Sequence, residues 1–178
     1  MGETLCNKVA RSTKRDKIED MIRTVNSGDA KALCIIYNYY IENTAVSFED
    51  QPLTVADMQK RIETATLPWL VYEKDKTAVG YAYASKWKAR SAYRFTAETT
   101  VYLSKTAVNQ RIGTQLYEAL LLALRDTPIH ALIGVIALPN TASIALHEKL
   151  GYEKVAHFKE VGWKFNRRID VGYWELII

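Results

Sequence analysis

Residues 98–125 read ETTVYLSKTAVNQRIGTQLYEALLLALR, a stretch that divides into a strand, a short loop and a long helix. Thr99, Thr100, Val101, Tyr102 and Leu103 are mostly β-branched or aromatic types that favour extended backbone, and Ser104-Lys105-Thr106 interrupts the apolar run. Beyond the loop Ile112, Leu116, Leu120 and Leu124 recur every four residues, with Ala119 and Ala123 on the same face. One stripe of a helix then faces a sheet, while Gln115, Glu118 and Arg125 face water. Gly113 stands at the helix start. With no side chain there, the free N–H groups of the first turn are open to a ligand. Their share of the helix dipole, roughly half a positive charge, suits a phosphate or pyrophosphate. The stretch points to a phosphorylated cofactor, although a strand followed by an amphipathic helix with one glycine is also a common unit of α/β proteins.

A chain of 178 residues is long enough for one domain with a full core and too short for two comfortable ones. Hydrophobic residues make up 48% and charged residues 25%, which excludes a disordered chain. No apolar run has the length of a membrane span and the N-terminus lacks the apolar segment of a signal peptide, so a cytoplasmic protein with no membrane partner is expected. Met1-Gly2 lacks the Ser or Thr that a myristoylation signal wants at position six, where Cys6 stands. Cys6 and Cys34 have no metal-ligand spacing, no metal site is expected, and Cys34 reads as a core thiol. The formal charge is +4, but Lys and Arg are dispersed, which favours a small anionic ligand over a nucleic acid.

Residues 1–20 are polar and charged without periodicity and read as an N-terminal extension; residues 21–178 form the expected domain. Met21 to Thr24 reads as a first strand, followed by a helix to about Tyr40 whose core face is Leu33, Ile36, Tyr37 and Tyr40. Thr54 caps a second helix through about Ala65. Between the helices Phe48 is either a tether or the wall of a pocket. Leu67 to Glu73 and Ala78 to Trp87 form an antiparallel hairpin through Lys74-Asp75-Lys76, with Gly80 marking a bulge. Ala131 to Ala137 is an apolar strand that lies parallel to the strand before the long helix. A short helix from Ser143 to Leu150 ends at Gly151, and strands Lys154 to Val161 and Arg168 to Ile177 finish the chain.

Several patterns together resemble one family. Ile22-Arg23, Ile36-Tyr37-Asn38-Tyr39-Tyr40-Ile41-Glu42-Asn43-Thr44 and Val46-Ser47-Phe48 are similar to the opening of phosphinothricin-type N-acetyltransferases of the GCN5-related (GNAT) superfamily. Trp87-Lys88-Ala89-Arg90-Ser91-Ala92-Tyr93 and Thr96 to Leu103 resemble that family's substrate loop and catalytic strand. Leu138-Pro139-Asn140, Ser143, Leu146 to Tyr152, Val161-Gly162-Trp163-Lys164, Asp170 and Trp174 follow in order and spacing. One departure stands out. The superfamily's pyrophosphate loop has Gln or Arg, two residues, Gly, one residue, then Gly or Ala. Here Val108-Asn109-Gln110-Arg111-Ile112-Gly113 keeps only the last glycine, and Arg111 stands where a glycine's backbone freedom is usual.

The resemblance implies an α/β fold of the GNAT type, a mixed twisted central sheet flanked by helices, and acetyl-CoA as co-substrate. It implies direct acetyl transfer in a ternary complex to the amino group of a small amino-acid-like compound of the phosphinothricin, methionine sulfoximine or methionine sulfone type, in a homodimer. Glu98 is then the base and His147 the proton donor to the departing thiolate or the holder of a water chain; His147 alternatively completes a helix-cap network. Val101, Tyr102 and Leu103 would pair with the pantetheine arm. Val108, Asn109, Gln110, Arg111, Ile112, Gly113 and Thr114 would cradle the pyrophosphate, with Asn140 reaching the same arm or closing a turn. Phe48, Lys88, Arg90 and Tyr93 are the acceptor-binding candidates, two cations and a phenol being suited to oxygen-rich groups. Two rival readings are an acetyltransferase for another small amine and a non-catalytic acyl-CoA or metabolite sensor.

Overall fold

The structure, a computed structural model, describes residues 21–178; the expected N-terminal extension and Cys6 lie outside the described residues. The chain order is β1 (Met21–Thr24), α1 (Ala30–Asn43), α2 (Val55–Glu63), β2 (Trp69–Lys74), β3 (Thr77–Lys86), β4 (Thr96–Leu103), α3 (Ile112–Arg125), β5 (Ala131–Leu138), α4 (Thr141–Lys149), β6 (Glu153–Lys164) and β7 (Arg167–Ile177). One sheet runs β1-β2-β3-β4-β5-β7-β6. All its pairs are antiparallel except β4 with β5, as expected for strands joined through α3.

Local chemistry sets these boundaries. Thr54 and Asp57 form a reciprocal capping box that starts α2, Asn140 caps α4 by accepting from Ser143 N at 3.1 Å, and Gly151 leaves α4 at φ +89°. The β2–β3 turn puts Asp75 and Lys76 at φ 52° and 60°, the mirror-image turn that matches strand twist. Tyr72 pairs Gly80 and Glu73 pairs Ala78, so Val79 is the extra residue of a bulge beside Gly80. A Cβ at Gly80 would lie 2.5 Å from Leu103 Cδ2, so this strand crossing requires glycine.

Two cores sandwich the sheet. The α3 stripe of Ile112, Leu116, Leu120 and Leu124 is buried against Ala97, Leu132 and Trp174 on one face. On the other, Leu33, Tyr37 and Met58 of α1 and α2 pack on Val71, Tyr81 and Tyr102. Cys34 is buried as expected. No helix among the described residues is long and apolar enough to cross a membrane.

Candidate active site

The only parallel pair of the sheet is short. β4 and β5 keep register over Thr96–Ala131, Ala97–Leu132 and Glu98–Ile133, and no further. The next backbone acceptor of β4, Thr99 O, is taken instead by the Tyr117 hydroxyl of α3 at 3.0 Å, and Leu103 O by the Tyr40 hydroxyl of α1 at 2.8 Å. Two phenols thus replace ladder bonds along one edge of β4. Because backbone groups of alternate residues face the same edge, Val101 N–H and C=O also face this gap. An extended chain laid there would be received as an added strand.

A cavity of about 420 Å³ opens where the strands part, and its walls include Glu98, His147, Phe48, Val101 and Tyr102. Four expected site elements are therefore brought together from the α1–α2 segment, β4 and α4. Glu98 is half-buried, and burial pushes its carboxyl above the usual value of 4.5. No cation opposes that shift among the described residues, so Glu98 is poised to accept a proton.

His147 is 4% exposed and sets its Cδ2–Nε2 edge against Gly134 of β5, where an added Cβ would be 2.5 Å from both atoms. Its Nδ1 is 2.8 Å from Ser143 O, a pure acceptor, so Nδ1 carries hydrogen and Nε2 faces the Tyr117 hydroxyl at 2.9 Å. Burial lowers the imidazole below its usual 6.5, the Ser143 carbonyl partly opposing it, and raises the Tyr117 phenol well above 10. Tyr117 has one hydrogen, which it places either on Thr99 O or on Nε2 of neutral His147. If a proton arrives, Nε2–H can donate to the phenol oxygen and release the Tyr117 hydrogen to Thr99 O. The pair can store and pass one proton beside Glu98, and Tyr152 extends it through Thr99 Oγ1 at 2.9 Å. Its Nδ1 ties the ring to Ser143 O of α4, and its Nε2 faces Tyr117 at the cavity.

The N-terminus of α3 provides a second feature. Asn109 and Arg111 both adopt left-handed backbone at φ 61°, and no side chain caps the helix, in contrast to α2 and α4. The first-turn amides of Ile112, Gly113 and Thr114 are left to an anion. Val108 precedes this turn as extended backbone, while the Gln110 side chain folds back to donate to Thr106 O.

Other expected residues lie elsewhere. Lys88, Arg90 and Tyr93 are not in the walls of the cavity; they form a cluster after β3, with Lys88 Nζ 4.6 Å from the centre of the Trp87 ring and 5.8 Å from that of Tyr93. Asn140 spends its side-chain oxygen on the α4 cap, so the turn-closing reading is the one its geometry shows. Sequence reasoning missed Tyr117, Tyr152, Thr99 and Gly134. Tyr117 could have been found, since it falls four residues after Gly113 on the buried side of α3. The others carried no local signal.

The splayed parallel pair, the uncapped helix after it and a half-buried carboxylate fit an acyl-CoA-dependent transferase. Residues 22–172 match the family described as an acetyltransferase (GNAT) domain, and the chain belongs to that family. It is 37% identical over 166 residues to the phosphinothricin N-acetyltransferase of Streptomyces viridochromogenes, over 92% of this chain and 90% of that protein. It is 31% identical over 159 residues to the L-methionine sulfoximine/L-methionine sulfone acetyltransferase of Pseudomonas aeruginosa, over 87% of this chain and 92% of the relative. A phosphinothricin acetyltransferase from Sinorhizobium meliloti, solved in complex with acetyl-CoA, superposes with a TM-score of 0.86 at 31% identity over 89% of this chain and 88% of that one. The chain is an enzyme, an N-acetyltransferase with acetyl-CoA as co-substrate.

Proposed function

We propose that this enzyme acetylates the α-amino group of a small amino-acid-like compound of the phosphinothricin, methionine sulfoximine or methionine sulfone type, by direct transfer in a ternary complex. The carrying observation is Glu98: a carboxylate with a burial-raised pKa, sharing one cavity with the His147–Tyr117 pair where the β4 edge is free. Acetyl-CoA supplies the activated acyl group. The edge from Val101 to Leu103 holds its arm, with the Asn140 amide nitrogen beside it, and residues 108–114 hold the pyrophosphate through the open α3 amides. Glu98 takes the ammonium proton, directly or through a water, and His147 with Tyr117 returns one to the thiolate. Phe48 closes the cavity, and Lys88, Arg90 and Tyr93 steer oxygen-rich acceptors from the neighbouring loop.

The relatives named above support this acceptor class. Residues 21–178 constitute the catalytic domain, working in the cytoplasm where acetyl-CoA is supplied, and two copies assemble through the exposed face of β6. The test is a turnover screen with acetyl-CoA against amino-acid analogues and simple amines. Phosphinothricin, methionine sulfoximine or methionine sulfone should exceed any polyamine in kcat/KM. Preference for polyamines would overturn the acceptor assignment, and failure to bind acetyl-CoA at sub-millimolar concentration would overturn the cofactor-binding geometry.

A further inference from the structure

A second cavity, of about 410 Å³, lies between α2 and the sheet, and nothing in acetyl transfer to a small acceptor uses it. Its walls are aromatic and apolar, made by Tyr37, Met58, Trp69, Tyr81 and Tyr83. Its charged lining residues are Arg61, which is ion-paired with Glu49 at 2.8 Å, and the exposed Lys86.

Position ties it to the reaction site. Across the β3–β4 ladder Ser85 stands opposite Glu98 and Tyr83 opposite Thr100. Side chains opposite one another in such a pair are about 5 Å apart, so Ser85 in the cavity wall is one side chain from the Glu98 carboxylate. Tyr37 and Tyr83 belong to both cavities and form their shared wall. A molecule with its amine at Glu98 therefore has the length of one amino-acid side chain with which to enter.

The chemistry of the walls restricts what enters. Trp69 is 7% exposed, and its indole Nε1–H is buried without a hydrogen-bond partner. A buried donor left unpaired is costly and rare, and this one is sealed from water, so the cavity presents the Trp69 ring rather than its N–H. Trp69 and Tyr83 stack at 4.6 Å between ring centres, the arrangement against which another ring packs. The volume falls within the usual range for a small-molecule pocket.

We propose that this cavity receives the side chain of a second class of acceptor, aromatic amino acids, whose ring packs on the Trp69–Tyr83 stack. Lys86 at the mouth attracts the α-carboxylate while the amine reaches Glu98. The proposal rests on Glu98 being the base, and it widens the acceptor range beyond small oxygen-rich compounds.

The test uses the full chain with acetyl-CoA and three acceptors, L-tyrosine, L-phenylalanine and methionine sulfone, together with binding of L-tyrosine to Glu98→Gln by equilibrium dialysis. L-tyrosine should be acetylated and should bind the inactive variant. Thr66→Trp, which places bulk on an exposed loop residue of the cavity wall, should lower the tyrosine-to-sulfone ratio of kcat/KM at least tenfold. Turnover of methionine sulfone without binding or turnover of either aromatic amino acid overturns the inference alone. An unchanged ratio in Thr66→Trp does the same. Turnover of none of the three overturns both this inference and the proposed function.

Discussion

Glu98 is a site where function opposes stability. Burial alone raises its carboxyl above 4.5, so the folded protein binds that proton more tightly than the unfolded chain, and stability falls as pH rises from 4.5 through the raised value. The same shift brings the group closer to the working pH of a base. Glu98→Gln should thus cut turnover by about 10² or more while the melting temperature at neutral pH stays the same or rises. In the unmodified enzyme the acid limb of the kcat/KM profile should lie above the usual carboxylate range; thermal melts and a pH–rate series check both. His147 has the opposite sense. Its lowered pKa means that stability is fully present above 6.5 and is lost as pH falls through the folded value. Arg111 is also under tension, since φ 61° disfavours a side chain by roughly 1 kcal/mol. Arg111→Gly removes that strain and one exposed charge, so acetyl-CoA affinity by calorimetry should stay within about threefold or improve, and a tenfold loss would mean that the guanidinium grips the pyrophosphate itself.

At the scale of elements, β5 and α4 act as one piece because the imidazole rests on the bare backbone of Gly134. Gly134→Ala should push His147 off Tyr117, lowering turnover at least tenfold and stability by about 1–3 kcal/mol, with acetyl-CoA affinity little changed. Turnover and a denaturant melt of the same sample check it, and normal turnover would show that the His147–Tyr117 contact is not needed for catalysis. This device was invisible in the sequence. Ala131 to Leu138 reads as an apolar buried strand whether or not its glycine faces a histidine, because a close approach between distant segments leaves no periodic trace. The α3 stripe was legible for the converse reason: its burial repeats every turn, and each of Ile112, Leu116, Leu120 and Leu124 is buried. Glu98 and His147 were legible through family likeness, and the structure adds that they share a cavity. Lys88 and Arg90 were equally legible as motif residues, yet local order could not say that their loop ends outside that cavity. Helix ends were read to within a few residues where a cap was present, as at Thr54, and Asn140, left open between a cofactor contact and a turn, has its side-chain oxygen on the α4 cap.

The whole molecule joins its first helices to its last hairpin across the site. Lys164 of β6 is buried and donates to Ser47 O, and the Phe48 ring lies against Gly162, where an added Cβ would be 2.5 Å from Cζ. The inner side of β6 is therefore committed to holding the α1–α2 segment over the cavity. Its outer side is different. β6 is an edge strand of 12 residues; exposed Trp163, opposite Arg168, lies on this outer side, while Phe158, opposite Val171 and against Tyr173, shares the side of Gly162. A long apolar edge invites pairing and is normally covered, and a bulge between Phe158 and Gly162 with Glu160 at φ 57° only partly blunts it. A second copy covering the same face about a two-fold axis would bury that surface and rest directly on the strand that supports Phe48. Trp163, 60% exposed, is the largest apolar group available to such a contact. Trp163→Glu should leave the monomer fold intact, because the side chain is outside both cores, and should halve the mass seen by sedimentation at micromolar concentration. If dimerisation steadies the Phe48 wall, the same variant should raise the acceptor KM more than the acetyl-CoA KM. A monomeric unmodified protein, or a Trp163→Glu protein of unchanged mass, would remove β6 as the assembly surface.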